Sequence, residues 1–576
     1  MARRITFRRT TGGLLSFIVL ASIVALFFAF HRRELVLPLH RPRLHVSARH
    51  LPYYAFCSFA RMTVAYVIAM IFSIIYGLLA GRSRAWERVL IPVIDVAQSV
   101  PVVGFFPAAI YFFVALAHGH RIGVEMAAVF LIFTSQAWNL ALGVYEAVRT
   151  IPNDSMEALD AFGASEWLRF KRLLMPACIP KLVYNSILSW VTGWYYLIAC
   201  EIITVGPAHY VLPGLGSYLM TASEKGRTGE IITGLVVLLV IIVLMDVIVW
   251  QPLSAWAERF RYEFSATSEP IAALGMLDVL GQLGPAILRL IRSLFRPVFA
   301  ILRMVFATVR PFDPRRYPEL RRYLRFVRIL ALTALAFLFA YAVIDGVVAL
   351  VRTLLHPWPP QVKQIPLATG ASLLRIIVAY LISLAWTIPC AIAASESPSF
   401  ARRLAPFAEI VGSMPATALF PLIVLFVIKA TGGMNLASIL LILTGMQWYL
   451  LFNLLAGISQ IPSDLKEAAR SFGVSRFGTW RTVTLPAVVP SLITGSITAW
   501  GGGWNALILS EYFPFRGETY KVFGLGAMLD VATYETDNGL MILLTLLSMV
   551  AVVILLNRLV WRRLYNVATE RYRMDY

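Results

Sequence analysis

The sequence predicts an all-α polytopic membrane protein, with about twelve transmembrane helices in two halves that repeat in the same orientation. The composition indicates a membrane: 59% of the 576 residues are apolar and 14% are charged, whereas a soluble domain carries roughly a quarter charged residues. Apolar runs long enough to cross a bilayer recur along the chain. A set of distinctive residues also returns in the second half at a fixed spacing.

Apolar runs with the length of a membrane span occur in both halves. In the first half they lie near 12–30, 53–80, 90–116, 123–148, 184–205 and 231–250. In the second half they lie near 326–351, 369–394, 406–429, 435–458, 488–510 and 539–558. The first run is followed by His31, Arg32 and Arg33 and not by a small-residue cleavage site. We therefore expect an uncleaved first helix.

The distribution of positive charge predicts the orientation. The formal net charge is +20, and the basic residues lie between apolar runs, which argues against a nucleic-acid-binding surface. Cytoplasmic loops carry an excess of Arg and Lys, so the basic segments 81–88 and 169–172 and the basic C-terminal tail predict that both termini are cytoplasmic. The segment 31–50 contradicts this pattern, because it has five arginines and yet this orientation places it outside the cell. We keep this orientation because the reverse would place the repeated loops described below outside the cell.

An arginine-rich segment, 251–325, separates the halves. Residues 285–309 within it mix apolar side chains with arginines and predict an amphipathic helix, kinked at Pro297, on the cytoplasmic lipid surface. A docking or regulatory element is the alternative. The other predicted units are 1–52 (first helix and outer loop), 53–250 (first repeat), 326–368 (first helix of the second half and outer loop), 369–560 (second repeat) and 561–576 (cytoplasmic tail).

The internal repeat is the strongest signal in the sequence. Glu157 and Glu467 are 310 positions apart. The same spacing relates Ala158 to Ala468, Phe162 to Phe472, Gly163 to Gly473, Pro176 to Pro486, Trp194 to Trp504, and Glu201 to Glu511. Nearer the N-terminus the spacing is 314, which relates Arg61 to Arg375, Pro101 to Pro415, and Pro107 to Pro421. Parallel repeats are arranged around an axis along the membrane normal, with a solute pathway between them.

A loop after the fourth span of each half is predicted to form a rigid helix-turn-helix. Each copy opens with proline followed by Asp or Ser as a capping residue, and a Glu lies in the first turn. Gly163 and Gly473 end the short helix by adopting a left-handed conformation. A second amphipathic stretch follows, and we expect Pro176 and Pro486 to break the chain before the next span. A rigid knob of this kind could transmit the motion of a soluble partner.

These loops resemble the EAA loop of bacterial ABC importer permeases, in which Glu-Ala-x is followed by a Gly, and then by a Pro that is usually preceded by Leu. The second copy matches throughout, whereas the first has Leu159 and Met175 in place of Ala and Leu. The resemblance implies that the residues coupled to the ATPases are Glu157, Ala158, Gly163, Pro176, Glu467, Ala468, Gly473 and Pro486.

The resemblance also implies a type I ABC importer permease fold in a bacterial inner membrane. Such a permease is a transport subunit and not an enzyme. It works with two cytoplasmic ABC ATPase subunits and an extracytoplasmic substrate-binding protein. Because the sequence has no G-x4-G-K-[ST] motif, ATP and Mg would bind the partner subunits, and this chain would bind no cofactor. The runs QSVPVVGFFP and GSMPATALFP, together with the repeated Gly-Leu-Gly, resemble the nitrate/sulfonate/taurine branch. That branch implies a small anion or a related nutrient as substrate.

Several polar residues and prolines are candidates for the pathway or its gate. A carboxylate near membrane depth is a functional candidate; it could pair with Arg61 or Arg375 as a gate, or simply be solvated. Prolines break helices where the backbone lines a cavity or packs on protein. An uncharged amide could bind a polar substrate, although we favour a bridge between helices. The candidates are Pro101, Pro107, Gln136, Glu201, Pro415, Pro421, Gln447 and Glu511.

The cysteines and the alternative functions complete the sequence-based picture. The four cysteines form no CxxC pair, so we expect neither a disulfide framework nor a metal site. An ion-driven secondary transporter also uses internal repeats, and a membrane scaffold could recruit a soluble partner through its loops. A secondary transporter would not explain the paired Glu-Ala-x…Gly loops, and ATP-dependent uptake of a labelled substrate into vesicles would separate both alternatives from an importer.

Overall fold

The computed structural model describes residues 44–99, 106–118, 120–205, 208–260, 357–412, 434–459, 463–515, 518–536 and 538–571, with short stretches or single residues between them. The predicted spans near 12–30 and 326–351 lie almost wholly outside the described residues. The predicted amphipathic helix over 285–309 lies outside them entirely.

The described part of the first half consists of α-helices and one hairpin. The helices are α1 (Leu51–Arg82), α2 (Arg84–Ser99), α3 (Phe106–Leu116), α4 (Arg121–Arg149), α5 (Asn153–Ala161), α6 (Glu166–Arg169), α7 (Met175–Glu201), α8 (Leu215–Glu224), α9 (Thr228–Met245) and α10 (Gln251–Ala257). The hairpin strands are β1 (Ile202–Val205) and β2 (Ala208–Val211).

The second half repeats this order. Its helices are α11 (Ile365–Glu396), α12 (Pro398–Gly412), α13 (Met434–Ser459), α14 (Ser463–Ser471), α15 (Arg476–Thr479), α16 (Leu485–Glu511), α17 (Leu525–Asp530), α18 (Gly539–Leu556) and α19 (Arg562–Arg571). Its hairpin strands are β3 (Tyr512–Phe515) and β4 (Glu518–Lys521).

The helices confirm the predicted all-α polytopic class. Among the described residues, seven helical segments are long and apolar enough to cross a membrane, and α7, with 27 residues, also has the length of a span. The count of about twelve stays a prediction, since much of the remaining chain is not described. The predicted span near 90–116 corresponds to α2 and α3, with residues 100–105 outside the description.

Each half is built around its fourth predicted span. Helix α4 packs between α1 and α7, and α13 packs between α11 and α16. Close approach depends on small residues, as is common where helices pack in a membrane. A Cβ atom added to Gly77 of α1 would lie 2.6 Å from Cβ of Val144 on α4.

The two short hairpins were not predicted from the sequence. In the first, Ile202 pairs with Val211, and in the second Tyr512 pairs with Lys521, both antiparallel. The β-branched run at Ile202–Val205 is a local signal for a strand, but it is continuous with the apolar run of α7. Each hairpin follows a long helix directly and leads into a short one, α8 or α17.

The expected chain breaks at Pro176 and Pro486 are wrong. The chain runs helically from α6 through a π-helical turn at Phe170–Leu174 into α7, and the second half does the same. Proline loses one backbone hydrogen bond and its ring crowds the carbonyl four residues earlier. At the π turn the N–H of Met175 bonds to the carbonyl of Phe170, five residues back, so the wider turn accommodates the proline without a break.

Candidate coupling loops and pathway residues

The two repeated loops have the predicted turn geometry. Gly163 has a φ of +62° and Gly473 a φ of +70°, which confirms the predicted left-handed conformation. The N–H of Ala164 bonds to the carbonyl of Leu159 at 3.0 Å, closing the helix end as a glycine-terminated helix requires. Val474 makes the equivalent bond in the second half.

The residue before each glycine is an exposed phenylalanine. Phe162 is 86% exposed and Phe472 is 85% exposed. The two repeats therefore expose the same large apolar side chain at equivalent positions. The sequence contained this signal, since both phenylalanines fall on the 310-residue spacing, but their exposure could be seen only in the structure.

The predicted coupling residues lie around these phenylalanines. Glu157 and Ala158 are exposed on α5, and Glu467 and Ala468 are exposed on α14. Their role in coupling stays a prediction.

Ion pairs tie the first loop to itself and to the end of α1. Arg169 Nη2 lies 2.5 Å from Asp160 Oδ1 across the turn. Arg82, the last residue of α1, places Nη2 2.6 Å from Glu166 Oε2. Such half-exposed pairs add little stability individually, but together they connect α5, α6 and α1.

Glu201 is wholly buried and hydrogen-bonded at the C-terminal end of α7. Its carboxylate accepts hydrogen bonds from Ser58 Oγ at 2.5 Å, from Arg61 Nη1 at 2.8 Å and from the backbone N–H of Gly216 at 2.7 Å. The N–H of Ser217 lies 3.3 Å away. These backbone donors belong to the first turn of α8, where the helix dipole favours a negative charge.

The second half reproduces this network. Glu511 accepts hydrogen bonds from Ser372 Oγ at 2.7 Å, Arg375 Nη1 at 2.6 Å and the N–H of Gly526 at 2.8 Å. The N–H of Ala527 lies 3.3 Å away. Each carboxylate therefore pairs with the arginine of its own half, and its role in a gate stays a prediction.

Glycine is required beside each carboxylate. A Cβ atom on Gly214 would overlap the carboxylate of Glu201, and one on Gly524 would overlap that of Glu511. Sequence reasoning found the repeated Gly-Leu-Gly but not its purpose. The network pins the segment between the hairpin and the short helix onto the first helix of its repeat.

The two networks differ in the residue that binds Nε of the arginine, which we call the outer partner of the arginine. Arg61 also binds Glu125, with Nε 2.6 Å from Oε2. Arg375 instead binds the amide oxygen of Asn435, with Nε 3.0 Å away. The first network thus has two carboxylates for one arginine, and the second has one.

The two predicted glutamines, Gln136 and Gln447, differ in their hydrogen bonding. Gln447 accepts a hydrogen bond of 3.1 Å from Trp386 Nε1 and so bridges α13 and α11. Gln136 is fully buried, and neither amide atom has a partner among the described residues. Of the predicted prolines, Pro107 is the second residue of α3, whereas Pro101, Pro415 and Pro421 lie outside the described residues.

Asp530 is a buried acid that the sequence reasoning did not single out. It ends α17 and is 5% exposed, and the position equivalent to it in the first half is Met220. Burial raises the pKa of the Asp530 carboxyl well above its ordinary value, and the nearby Glu511 carboxylate raises it further. Among the described residues, no group of three or more His, Cys, Asp or Glu could hold a metal ion.

The described chain is a duplicated bundle of helices, seven of them long and apolar enough to cross a membrane, with one exposed loop in each half. Residues 62–250 and 386–566 each match the family described as "Binding-protein-dependent transport system inner membrane component". The matches cover more than half of the chain, which therefore belongs to this family as two fused permease domains. The chain is a multi-pass membrane protein and is not itself an enzyme.

Curated relatives point to one branch of this family. The chain is 25% identical over 179 residues to a nitrate import permease protein of Leptolyngbya laminosa, covering 31% of this chain and 59% of the relative. It is 26% identical over 175 residues to a bicarbonate transport system permease protein of Synechocystis, covering 30% and 58%. It is 31% identical over 161 residues to the taurine transport system permease protein of Escherichia coli, covering 28% and 57%. The matched region therefore spans less than two thirds of each relative.

Proposed function

We propose that the chain is the transmembrane permease subunit of an ATP-driven importer and that it takes up a small anion. Two fused halves form the pathway between them, and each half binds one cytoplasmic ATPase subunit through its repeated loop. An extracytoplasmic binding protein delivers the substrate. The observation that carries this proposal is the pair of rigid loops with matching exposed phenylalanines.

The geometry of the loops suits a docking knob. Each knob consists of a short helix, a left-handed glycine and an exposed aromatic ring, Phe162 or Phe472, at its tip. An aromatic anchor that enters a partner's pocket typically supplies much of the binding energy of an interface. Because the knob is rigid and continues into α7 or α16 without a break, a displacement of the partner would move a whole membrane helix.

The names of three relatives support a small anion as the substrate class. Nitrate and bicarbonate are small anions, and taurine carries an anionic sulfonate. ATP and Mg would bind the partner subunits, since the chain has no phosphate-binding motif of its own. We place the chain in a bacterial inner membrane with both termini in the cytoplasm, and we propose no nucleic-acid partner.

The first test is affinity purification of the tagged chain from membranes, followed by mass spectrometry and reconstitution into liposomes. We expect ATPase subunits to co-purify and the complex to take up labelled nitrate, bicarbonate or taurine in an ATP-dependent manner. In the double variant Phe162→Ala, Phe472→Ala, we expect the retained ATPase to fall at least ~10-fold, because loss of an aromatic anchor typically costs about 2 kcal/mol or more per site.

A matched control separates docking from general damage. Phe56 lies on α1 and is 69% exposed, so Phe56→Ala removes a comparable ring far from the loops and should leave ATPase retention unchanged. Absence of any ATPase in a crosslinked wild-type preparation, together with uptake driven by an ion gradient, would contradict the proposal and favour a secondary transporter. Absence of both would favour a scaffold.

A further inference from the structure

The middle of four helices at the centre of the molecule contains no charged side chain. Helix α13 and the interior of α16 have none, and in α7 the charged residues are Lys181 and Glu201, near the two ends. In α4 the charged residues are also confined to the two end turns. An anion that passes between these helices must therefore be bound there by neutral hydrogen-bond donors.

Hydroxyl groups from the two halves meet at this depth. Thr192 Oγ1 of α7 lies 3.4 Å from Tyr449 Oη of α13. Thr192 donates its own hydrogen to the carbonyl of Leu188 at 2.8 Å, so the Tyr449 hydroxyl is the donor across the interface. Thr192 is nine residues before the outer end of α7, about 14 Å along the helix axis.

The second half is adapted to direct this ring across the interface. The position equivalent to Thr192 is Gly502, and the position equivalent to Tyr449 is Asn139. A Cβ atom on Gly502 would lie 2.4 Å from the Gly445 carbonyl oxygen and 2.9 Å from Cε2 of Tyr449, so the missing side chain lets α13 and α16 approach closely and leaves room for the ring. The first half has Thr and Asn in the place of Gly and Tyr, so the arrangement is one-sided.

Further neutral donors surround this contact. Tyr195 lies one turn after Thr192 on the same face of α7, and its ring packs edge-on against that of Tyr196, with the ring centroids 5.0 Å apart. The position equivalent to Tyr195 in α16 is Asn505. Hydroxyl and amide groups can donate hydrogen bonds to an oxyanion without carrying a charge.

We propose that Tyr195 and Tyr449 form a neutral, one-sided selectivity site for small oxyanions at the constriction between the halves, and that Thr192 is the acceptor that holds the Tyr449 hydroxyl while the constriction is closed. This inference rests on the proposed function. When the halves separate, Tyr449 loses Thr192 as its acceptor, and an anion oxygen replaces it. The exchange avoids an unpaired donor in the membrane interior, which would be costly. A neutral site also lets the anion leave, because no cation holds it in place.

The test uses the reconstituted full complex with its co-purified ATPases and binding protein. ATP-dependent uptake of nitrate, bicarbonate and taurine is measured for the wild type, and the best substrate is then used for Tyr449→Phe and Thr192→Val. Both variants keep the shape of the side chain and remove a hydroxyl. Since a hydrogen bond to a charged group is worth about 1.5–3 kcal/mol, Tyr449→Phe should raise the apparent KM about 10-fold or more. Thr192→Val should raise ATP hydrolysis in the absence of substrate, because it removes only the acceptor that holds the constriction closed.

Tyr380→Phe is the matched control. The Tyr380 hydroxyl lies 2.7 Å from Ser496 Oγ within the second half, so its loss should leave the KM unchanged. If the Tyr449 and Thr192 variants behave as this control does, the selectivity site is wrong while the importer proposal stands. If the wild type takes up a neutral or cationic solute and no anion, both the site and the proposed substrate class are wrong.

Discussion

At the residue scale, the buried Glu201 and Glu511 are the most constrained positions in the described chain. Each carboxylate accepts hydrogen bonds from a serine hydroxyl, an arginine guanidinium and two backbone N–H groups. A buried charge is tolerable only when it is paired and its oxygens are satisfied. These carboxylates meet that condition through the protein itself, so no substrate is needed to neutralise them. This favours an anchoring role over direct substrate binding.

The unequal outer partners predict unequal costs of neutralising the two carboxylates. Glu511→Gln leaves Arg375 with neutral acceptors, Asn435 Oδ1 and the Phe523 carbonyl, and no carboxylate partner. Breaking such a buried pair costs about 3–5 kcal/mol of unfolding free energy. Glu201→Gln leaves Arg61 paired with Glu125, so we expect a smaller loss of about 1–3 kcal/mol. Thermal unfolding in nanodiscs, followed by tryptophan fluorescence, would rank the two variants.

Asn435→Glu provides the rescue for this comparison. It builds the outer partner of the first half into the second, so the double variant Glu511→Gln, Asn435→Glu should recover most of the lost thermal stability. Equal destabilisation by the two single variants, with no recovery in the double variant, would show that the outer partner does not compensate the arginine.

At the scale of elements, the two halves solve the same packing problem with exchanged residues. In the first half, a Cβ atom on Gly143 of α4 would contact the amide of Asn185 on α7. In the second half, Asn453 takes the position of Gly143, and Gly495 that of Asn185. A Cβ atom on Gly495 would lie 2.8 Å from Cβ of Asn453. Each interface therefore has space for one asparagine and needs a glycine opposite it.

This exchange predicts a compensating pair of mutations. Gly495→Asn alone places two asparagines at the α13–α16 contact, and overpacking of this kind costs about 1–3 kcal/mol. Adding Asn453→Gly restores one asparagine per interface and reproduces the first half, so the double variant should regain near wild-type thermal stability. Additive destabilisation in the double variant would contradict this account, since coupled neighbours should not be additive.

The elements also show what sequence could and could not predict. The left-handed conformation at Gly163 was predictable because it depends on a local helix end and on a repeat that marks the position twice. The continuous helix through Pro176 was not predictable, because it depends on a π turn and no residue type in that stretch predicts one. The hairpin beginning at Ile202 was hidden because its apolar residues extend the run of α7. Arg61 was an expected partner of Glu201, but the purpose of Gly214 required the carboxylate's position in space.

At the scale of the whole molecule, fusion has kept the shared framework and allowed the surroundings to diverge. The turn glycines, the exposed phenylalanines and the buried carboxylates are the same in both halves. The charges on the loops are not: the first carries Asp154, Glu157, Asp160 and Glu166 where the second has Asp464, Glu467, Arg470 and Arg476. Asp530 and Met220, and Tyr449 and Asn139, differ in the same way. The shared positions form a common framework, and the divergent positions give the two halves different charges and hydrogen-bonding groups.

Because one polypeptide carries both loops, damage to one should separate ATPase binding from transport. Gly163→Val places a β-branched residue at a φ of +62°, a conformation costing about 1–3 kcal/mol for such a side chain. We expect native mass spectrometry to show roughly half of the ATPase retained, since the Phe472 loop is intact, and Gly473→Val to give the reciprocal result. Uptake should be lost in either single variant, because alternating access requires the two halves to move against each other.

Gly229 offers a control, since it is also uncrowded and has no positive φ, so Gly229→Val should retain both ATPases and uptake. Normal uptake by a single loop variant would show that one loop suffices for coupling and that the two loops do not contribute equally to transport.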